Sequence, residues 1–237
     1  MSLVQTVMAI VDTGRISVPT VVEALYRPLD LPLAERRLAW WSHKLLADAA
    51  ITLTVTGREH AGDGSEPLIV MSNHQSHYDI PVLFQSGLGA LRMVTKAELF
   101  KVPIWGRAMA RAGFIRVDRH DREQAVDALR GQGGSVLAAG MRVWIAPEGT
   151  RSRTGELGPF KSGGFRMALD QGVRILPVAI DGTREVLPAQ GVVVQRGKHV
   201  RVTVLPAIDP AAYGVTRRKE LMDAVRGAIA GALGRPG

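Results

Sequence analysis

Asn73-His74-Gln75-Ser76-His77-Tyr78-Asp79 sets an imidazole and a carboxylate five positions apart, directly after the apolar run 68–71 and before the apolar run 80–84. On a continuous helix, at ~100° per residue, positions five apart stand roughly 140° from each other, so His74 and Asp79 would not face one another there. A turn after His74 brings them together. The carboxylate then accepts from one ring nitrogen, fixes the tautomer and stabilises the imidazolium, while the other nitrogen takes a proton from a hydroxyl. Two polar residues capping a helix would leave the same pattern, so the surrounding segments have to decide. His77 reads as a surface or packing histidine.

A second polar cluster, Ala146-Pro147-Glu148-Gly149-Thr150-Arg151-Ser152, again follows an apolar run, 143–146. In open α/β sheets ligands collect outside the carboxyl ends of strands, so two clusters placed this way line one crevice. Gly149 lets backbone approach a ligand closely, and Arg151 offers a planar fork suited to phosphate; a loop salt bridge is the structural alternative. Gly113-Phe114-Ile115-Arg116-Val117-Asp118-Arg119 puts a second guanidinium, Arg119, at another strand end. Lys96 and Lys161 are further cations of the same kind. Ser76 and Ser152 stand outside any G-x-S-x-G elbow. A metal-dependent hydrolase using His74, His77, Asp79 and Glu148 is a rival reading, although H-x-x-H-x-D is not the usual H-x-H-x-D-H spacing and only His120 and His199 follow as further imidazoles.

The elements that must position these residues read as follows. Residues 3–48 are helical material broken around 28–32, with Val18, Val21, Val22 and Leu25 before the break and Leu38, Trp41, Leu45 and Leu46 after it, which predicts a helical hairpin. Ile51, Leu53 and Val55 alternate with threonines as in a strand with one buried face, and 57–67 is a polar, Gly-rich loop. Apolar runs at 68–71, 91–95, 114–117, 143–146 and 175–180 alternate with helix-length segments, and Val200, Val202 and Val204 alternate before a helix with Leu221, Met222, Val225, Ile229 and Leu233 on one face. That rhythm predicts an α/β fold with a mixed, largely parallel sheet flanked by helices and preceded by the hairpin. The expected division is 1–48 as a membrane-docking segment and 49–237 as the chemical domain.

With 237 residues, 46% of them hydrophobic, the chain can bury one sizeable core. The absence of cysteine removes disulfides, thiolate metal sites and cysteine nucleophiles. Thirty Lys and Arg against 22 Asp and Glu leave a formal charge of +8, which favours anionic lipid, nucleic acid or an acidic carrier protein as partner. The basic residues are scattered among acidic ones and no aromatic-rich recognition motif accompanies them, so a basic binding module for nucleic acid or lipid is the non-enzymatic rival. No secretory leader and no run of roughly 18 uncharged apolar residues is visible, so the chain reads as cytoplasmic, held peripherally at the inner face of the cell membrane. Trp40, Trp41, Arg36, Arg37 and Lys44 are the expected contact with an anionic surface.

Taken in order, N-H-Q-S-H-Y-D, G-F-I-R-V-D-R, A-P-E-G-T-R-S and I-L-P-V-A-I resemble the four blocks of the glycerolipid acyltransferases, a likeness that runs from about residue 70 to 180. Lys96-Ala97-Glu98-Leu99 and Phe160-Lys161-Ser162-Gly163 look like the same family. The resemblance implies that His74 is the catalytic base and Asp79 its partner. It implies that Arg119, Glu148, Gly149 and Arg151, with Thr150, Lys96 and Lys161, bind the acceptor, and that Pro177 belongs to the last block. It also implies acyl-CoA or acyl carrier protein as donor, a lysophospholipid acceptor such as 1-acylglycerol-3-phosphate giving phosphatidate, and no metal or prosthetic group. Ala146 departs from the larger apolar residue that commonly precedes Pro-Glu-Gly in this family. The expected step is direct attack of the acceptor oxygen on the thioester, with backbone N–H groups stabilising the oxyanion and no acyl-enzyme.

Overall fold

A computed structural model describes residues 3–26 and 30–234. The chain opens with two helices, α1 (Leu3–Glu23) and α2 (Leu31–Asp48), the expected hairpin; the break was placed from Pro28, which lies outside the described residues. Then follow β1 (Thr52–Thr56), β2 (Ile69–Ser72), α3 (Asp79–Phe84), β3 (Leu91–Lys96), α4 (Trp105–Arg111) and β4 (Ile115–Val117). α5 (Arg122–Ala128) continues through a π-turn over Leu129–Gly133 into α6 (Gly134–Ala138). The rest of the chain forms β5 (Arg142–Ile145), α7 (Gly163–Gln171), β6 (Ile175–Asp181), the short α8 (Thr183–Val186), β7 (His199–Val204) and α9 (Arg218–Ala232).

The seven strands form one sheet in the order β1-β7-β6-β2-β5-β3-β4. From β6 to β4 every pairing is parallel, and β7, with β1 parallel to it, runs against β6. The sheet is therefore mixed and largely parallel. β2 lies near its middle because the run Leu68-Ile69-Val70-Met71 is apolar on both faces: all four residues are buried, as a strand covered by helices on both sides requires. Val70 points into a core with Leu45, Leu46, Leu83, Trp144 and Leu176, whereas Ile69 and Met71 point into a second core with Phe165, Ile175 and Val225. Leu221, Val225 and Ile229, four apart on α9, are fully buried in that second core.

Two buried arginines tie the layers together. Arg142 donates to the backbone oxygens of Glu66, Leu88 and Ala61 at 3.0, 2.8 and 2.6 Å, anchoring the Gly-rich loop to the start of β5. Arg92 on β3 pairs with Glu35 and so joins the sheet to α2.

In α1 the apolar stripe faces outward. Leu3, Val7, Ile10, Val18, Val22 and Leu25 are exposed, while Asp12, Ser17 and Thr20 are buried. α2 supplies the reason: Trp41 Nε1 donates to Thr13 Oγ1 at 3.0 Å, Arg37 donates to Thr20 Oγ1 at 3.0 Å and to Glu23 at 2.8 Å, and Lys44 lies 3.8 Å from Asp12 and also pairs with Asp48. Buried polar groups need such partners, so the polar stripe sets which face of α1 turns inward. Trp41 and Lys44 tie α2 to α1, and Arg37, which does so too, lines an outer groove of about 430 Å³ together with Arg15, Ile16, Arg36 and Trp40.

Candidate active site

Because β2, β3, β4, β5 and β6 are parallel, residues 73–79, 96, 118–119, 146–152 and 182–183 all emerge at one edge of the sheet. β2 connects outward past β5 to β3, while β6 returns on the other side of β2, the arrangement that opens a crevice at the carboxyl ends of the strands.

Asn73 starts the turn. Its side chain donates to Ile180 O and accepts from Ile180 N, both at 2.8 Å, which clamps the exit of β2 to β6. The chain then turns so that Asp79, at the first position of α3, folds back over it. Asp79 Oδ2 accepts from the Gln75 and Ser76 amides at 2.7 and 2.9 Å and lies 2.6 Å from His74 Nδ1. Its other oxygen accepts from Thr183 Oγ1 at 2.5 Å. The carboxylate is fully buried, and its Oδ2 accepts from His74 Nδ1, which places the ring proton on that nitrogen. His74 Nε2 is left as acceptor. The imidazole packs edge-on against Trp144, with centroids 5.3 Å apart, and both line a cleft of about 470 Å³.

The loop 146–152 closes over this turn. Ser152 N donates to His74 O at 2.7 Å. Glu148, 7% exposed, accepts from His74 N at 3.0 Å and from Gly158 N at 2.9 Å, so both its oxygens brace backbone. Burial raises the Glu148 carboxyl above its usual range, and the two amide bonds oppose the shift. Gly149 lines the cleft at φ +73°, where an added Cβ would lie 2.9 Å from the Lys161 side chain. Lys161 lines the cleft beside it, whereas Thr150 is exposed and outside the cleft wall.

Arg119 also lines the cleft. Partial desolvation lowers its guanidinium, with Glu98 opposing and Arg151 reinforcing the shift. Arg151 is lowered by desolvation and steadied by Asp79. Lys96 is exposed at the end of β3 and acts electrostatically on His77. Desolvation, reinforced by Arg151 and His74, pushes the His77 imidazole down to about 4, leaving it uncharged near neutral pH.

Ser76 Oγ donates to Leu187 O and Ser152 Oγ to Glu156 O, so both hydroxyls are tied to backbone. Among the described residues no three His, Asp or Glu side chains are grouped to hold a metal ion, and His74, His77, Asp79 and Glu148 do not form such a set. The cleft wall between the polar groups is apolar, with Val94, Val117, Val126, Leu129 and Ile145.

Thr183, Trp144, Arg166 and Arg218 went unnoticed in the sequence. Thr183 had a detectable signal, since it follows the strand 175–180 at the same sheet edge. The two arginines had none, because α7 and α9 bring them to the cleft only by packing.

The Acyltransferase family matches residues 52–181. The 1-acyl-sn-glycerol-3-phosphate acyltransferase of Pseudomonas aeruginosa is 36% identical over 144 residues, 60% of this chain and 54% of that protein. A chloroplastic enzyme of the same description from Arabidopsis thaliana is 34% identical over 152 residues, 64% of this chain and 42% of that protein. The chain thus spans about half the length of the curated relatives it matches. The crystal structure of the 1-acyl-sn-glycerophosphate acyltransferase from Thermotoga maritima has the same fold, with a TM-score of 0.75 over 100% of both chains at 22% identity. With that match running from β1 through the end of β6 and taking in all four sequence blocks, this chain belongs to the acyltransferase family.

Proposed function

We propose that the chain moves a fatty acyl group from acyl-CoA or acyl carrier protein to the free hydroxyl of a lysophospholipid, 1-acylglycerol-3-phosphate in the first instance, giving phosphatidate. The observation that carries the reading is the 2.6 Å contact between His74 Nδ1 and Asp79 Oδ2, with Nε2 left open where His74 lines the cleft. Nε2 takes the proton from the acceptor hydroxyl as its oxygen bonds to the thioester carbonyl carbon. Asp79 stabilises the imidazolium that forms. Collapse of the tetrahedral adduct breaks the carbon–sulfur bond, and the leaving thiolate takes the proton back from His74. Arg119 and Arg151 bind the acceptor phosphate, with Lys96 and Lys161 adding positive charge. Gly149 keeps the cleft floor open beside Lys161, Thr150 borders it, and Glu148 braces the His74 backbone. Chemically, a base on one imidazole nitrogen and two arginines nearby suit a hydroxyl attached to a phosphate-bearing backbone.

The acceptor's tail lies in a bilayer, and residues 1–48 dock the chemical domain, 49–237, onto that surface. No helix among the described residues is long and apolar enough to cross a membrane. The exposed stripe of α1, flanked by Trp40, Arg15 and Arg36, combines apolar side chains with headgroup-seeking ones.

The test is mass-spectrometric detection of acylated product from purified protein given lysophosphatidate and mixed acyl-CoA, or acyl carrier protein thioesters, beside His74→Ala. Product from the wild type with little from the variant is expected. Equal product from both would remove His74 from the reaction, and no product from any donor and lysolipid pair would remove the reading itself.

A further inference from the structure

The cleft carries cations beyond those that the acceptor phosphate needs. Arg166, on the second turn of α7, and Arg218, the first residue of α9, line the same cleft as His74. Arg218 has no ion-pair partner among the described residues. Arg166 reaches Asp170 only through Nε at 3.8 Å, and that carboxylate is already held by Arg130 at 3.0 Å. Both guanidiniums therefore keep open donor edges. Of the pair assigned to the acceptor, Arg119 lines the same cleft, whereas Arg151 stands outside its lining, electrostatically coupled to Arg119 and to Asp79.

Two cationic groups call for two anions. A phosphate monoester is matched by the forks of two arginines, so Arg119 and Arg151 suffice for the acceptor. Both donors of acyl thioesters share a second anion, the phosphate of the phosphopantetheine arm, and coenzyme A adds nucleotide phosphates to it. Val126 and Leu129 give the cleft an apolar wall, and Gly163 and Gly164, which add no side chain to its lining, leave room there for a thin, unbranched arm.

Resting on the acyl-transfer reading above, we propose that Arg166 and Arg218 bind the phosphate of the donor's phosphopantetheine carrier, so that acceptor and donor phosphates are held by different arginines. Lys161, beside Gly149 on the same wall, contributes charge to both. In this arrangement the two substrates bind side by side, and donor affinity is tuned on α7 and α9 without touching the acceptor's contacts.

The test measures binding of free coenzyme A and of holo acyl carrier protein to the wild type, to Arg166→Gln/Arg218→Gln and to Arg166→Lys/Arg218→Lys, together with the KM of each substrate. Loss of a charge-assisted contact is worth about tenfold or more per arginine, so the Gln pair should weaken coenzyme A by about 100-fold. The KM of lysophosphatidate and that of a phosphate-free acyl-pantetheine should stay within about twofold, and the Lys pair should recover part of the loss, as expected when charge is kept but the fork is not. Parallel weakening with both carriers supports the shared pantetheine phosphate as the ligand; weakening with coenzyme A alone would put the contact on its nucleotide phosphates and overturn the assignment. Unchanged coenzyme A binding, or equal weakening of donor and acceptor, overturns it. A wild type that binds coenzyme A through these arginines yet transfers no acyl group would overturn the reaction and leave the subsite standing. Acyl transfer by the wild type with a donor KM that neither variant changes would do the reverse.

Discussion

Thr183 Oγ1 donates to Asp79 Oδ1 at 2.5 Å, across 104 residues of sequence, while the other oxygen of the same carboxylate faces His74 Nδ1. The hydroxyl and the two amides of Gln75 and Ser76 leave Asp79 one orientation, and so leave the His74 ring one orientation. Thr183 is accordingly a positioning residue. Thr183→Val should lower kcat by about tenfold while leaving the KM of both substrates nearly unchanged, and Thr183→Ser should restore most of it. Steady-state kinetics of the three proteins is the check; a Val variant that changes KM alone, or a Ser variant as poor as Val, would contradict this role.

Replacing the base itself has a larger effect. His74→Ala should cost about 10²- to 10⁴-fold in turnover, the usual worth of a positioned base. Asp79→Asn should fall in the same range, because an amide in place of the carboxylate no longer fixes the tautomer or stabilises the imidazolium. Since both residues sit in one unit, the double variant should be little worse than the poorer single one.

The neighbouring imidazole makes a pH prediction. His77 titrates near 6.5 when free and at about 4 in the folded protein. Between those values the unfolded chain binds more protons than the native one, so the stability associated with His77 is full above about pH 6.5 and is lost as the pH falls towards about 4. Urea unfolding midpoints measured across that window should fall less steeply in His77→Gln than in the wild type. Equal slopes would mean that His77 is as protonated in the fold as in the free chain.

A fourth prediction concerns the hairpin. Leu3, Val7 and Ile10 are exposed on α1, 64%, 52% and 68%, so replacing all three with serine should leave the fold intact. Binding to anionic vesicles should drop by at least about tenfold, given the transfer energy of three apolar side chains. Sedimentation with vesicles, with circular dichroism as the control for folding, reads the outcome; unchanged binding would move the contact elsewhere.

Arg142 tests the architecture rather than the chemistry. Arg142→Met would leave two buried backbone oxygens, those of Ala61 and Leu88, and the half-buried one of Glu66 without their donor. Each unsatisfied group costs about 1–3 kcal/mol, so a loss of about 3 kcal/mol or more in unfolding free energy is expected by denaturant titration.

Much of this was legible in the chain itself. Strands are local patterns, and the apolar runs at 68–71, 143–146 and 175–180 each fell within a residue or so of β2, β5 and β6, because a strand buried on both faces has few other ways to be written. The same runs told where the polar clusters had to emerge, so His74, Asp79, Arg119 and Arg151 could be assigned to one sheet edge before any coordinates. What sequence spacing could not decide was which polar atoms satisfy one another. Each Glu148 oxygen meets a backbone amide, of His74 and of Gly158, and Thr183 reaches Asp79 from the start of α8, past the end of β6. α1 shows the same limit: its apolar residues mark a helix but not which side is covered, and Asp12 and Thr20 turn inward where Lys44 and Arg37 of α2 supply their partners. Periodicity along a chain records which residues share a face. Only the tertiary structure, by choosing what that face meets, decides whether it is buried, solvated or left open for a ligand.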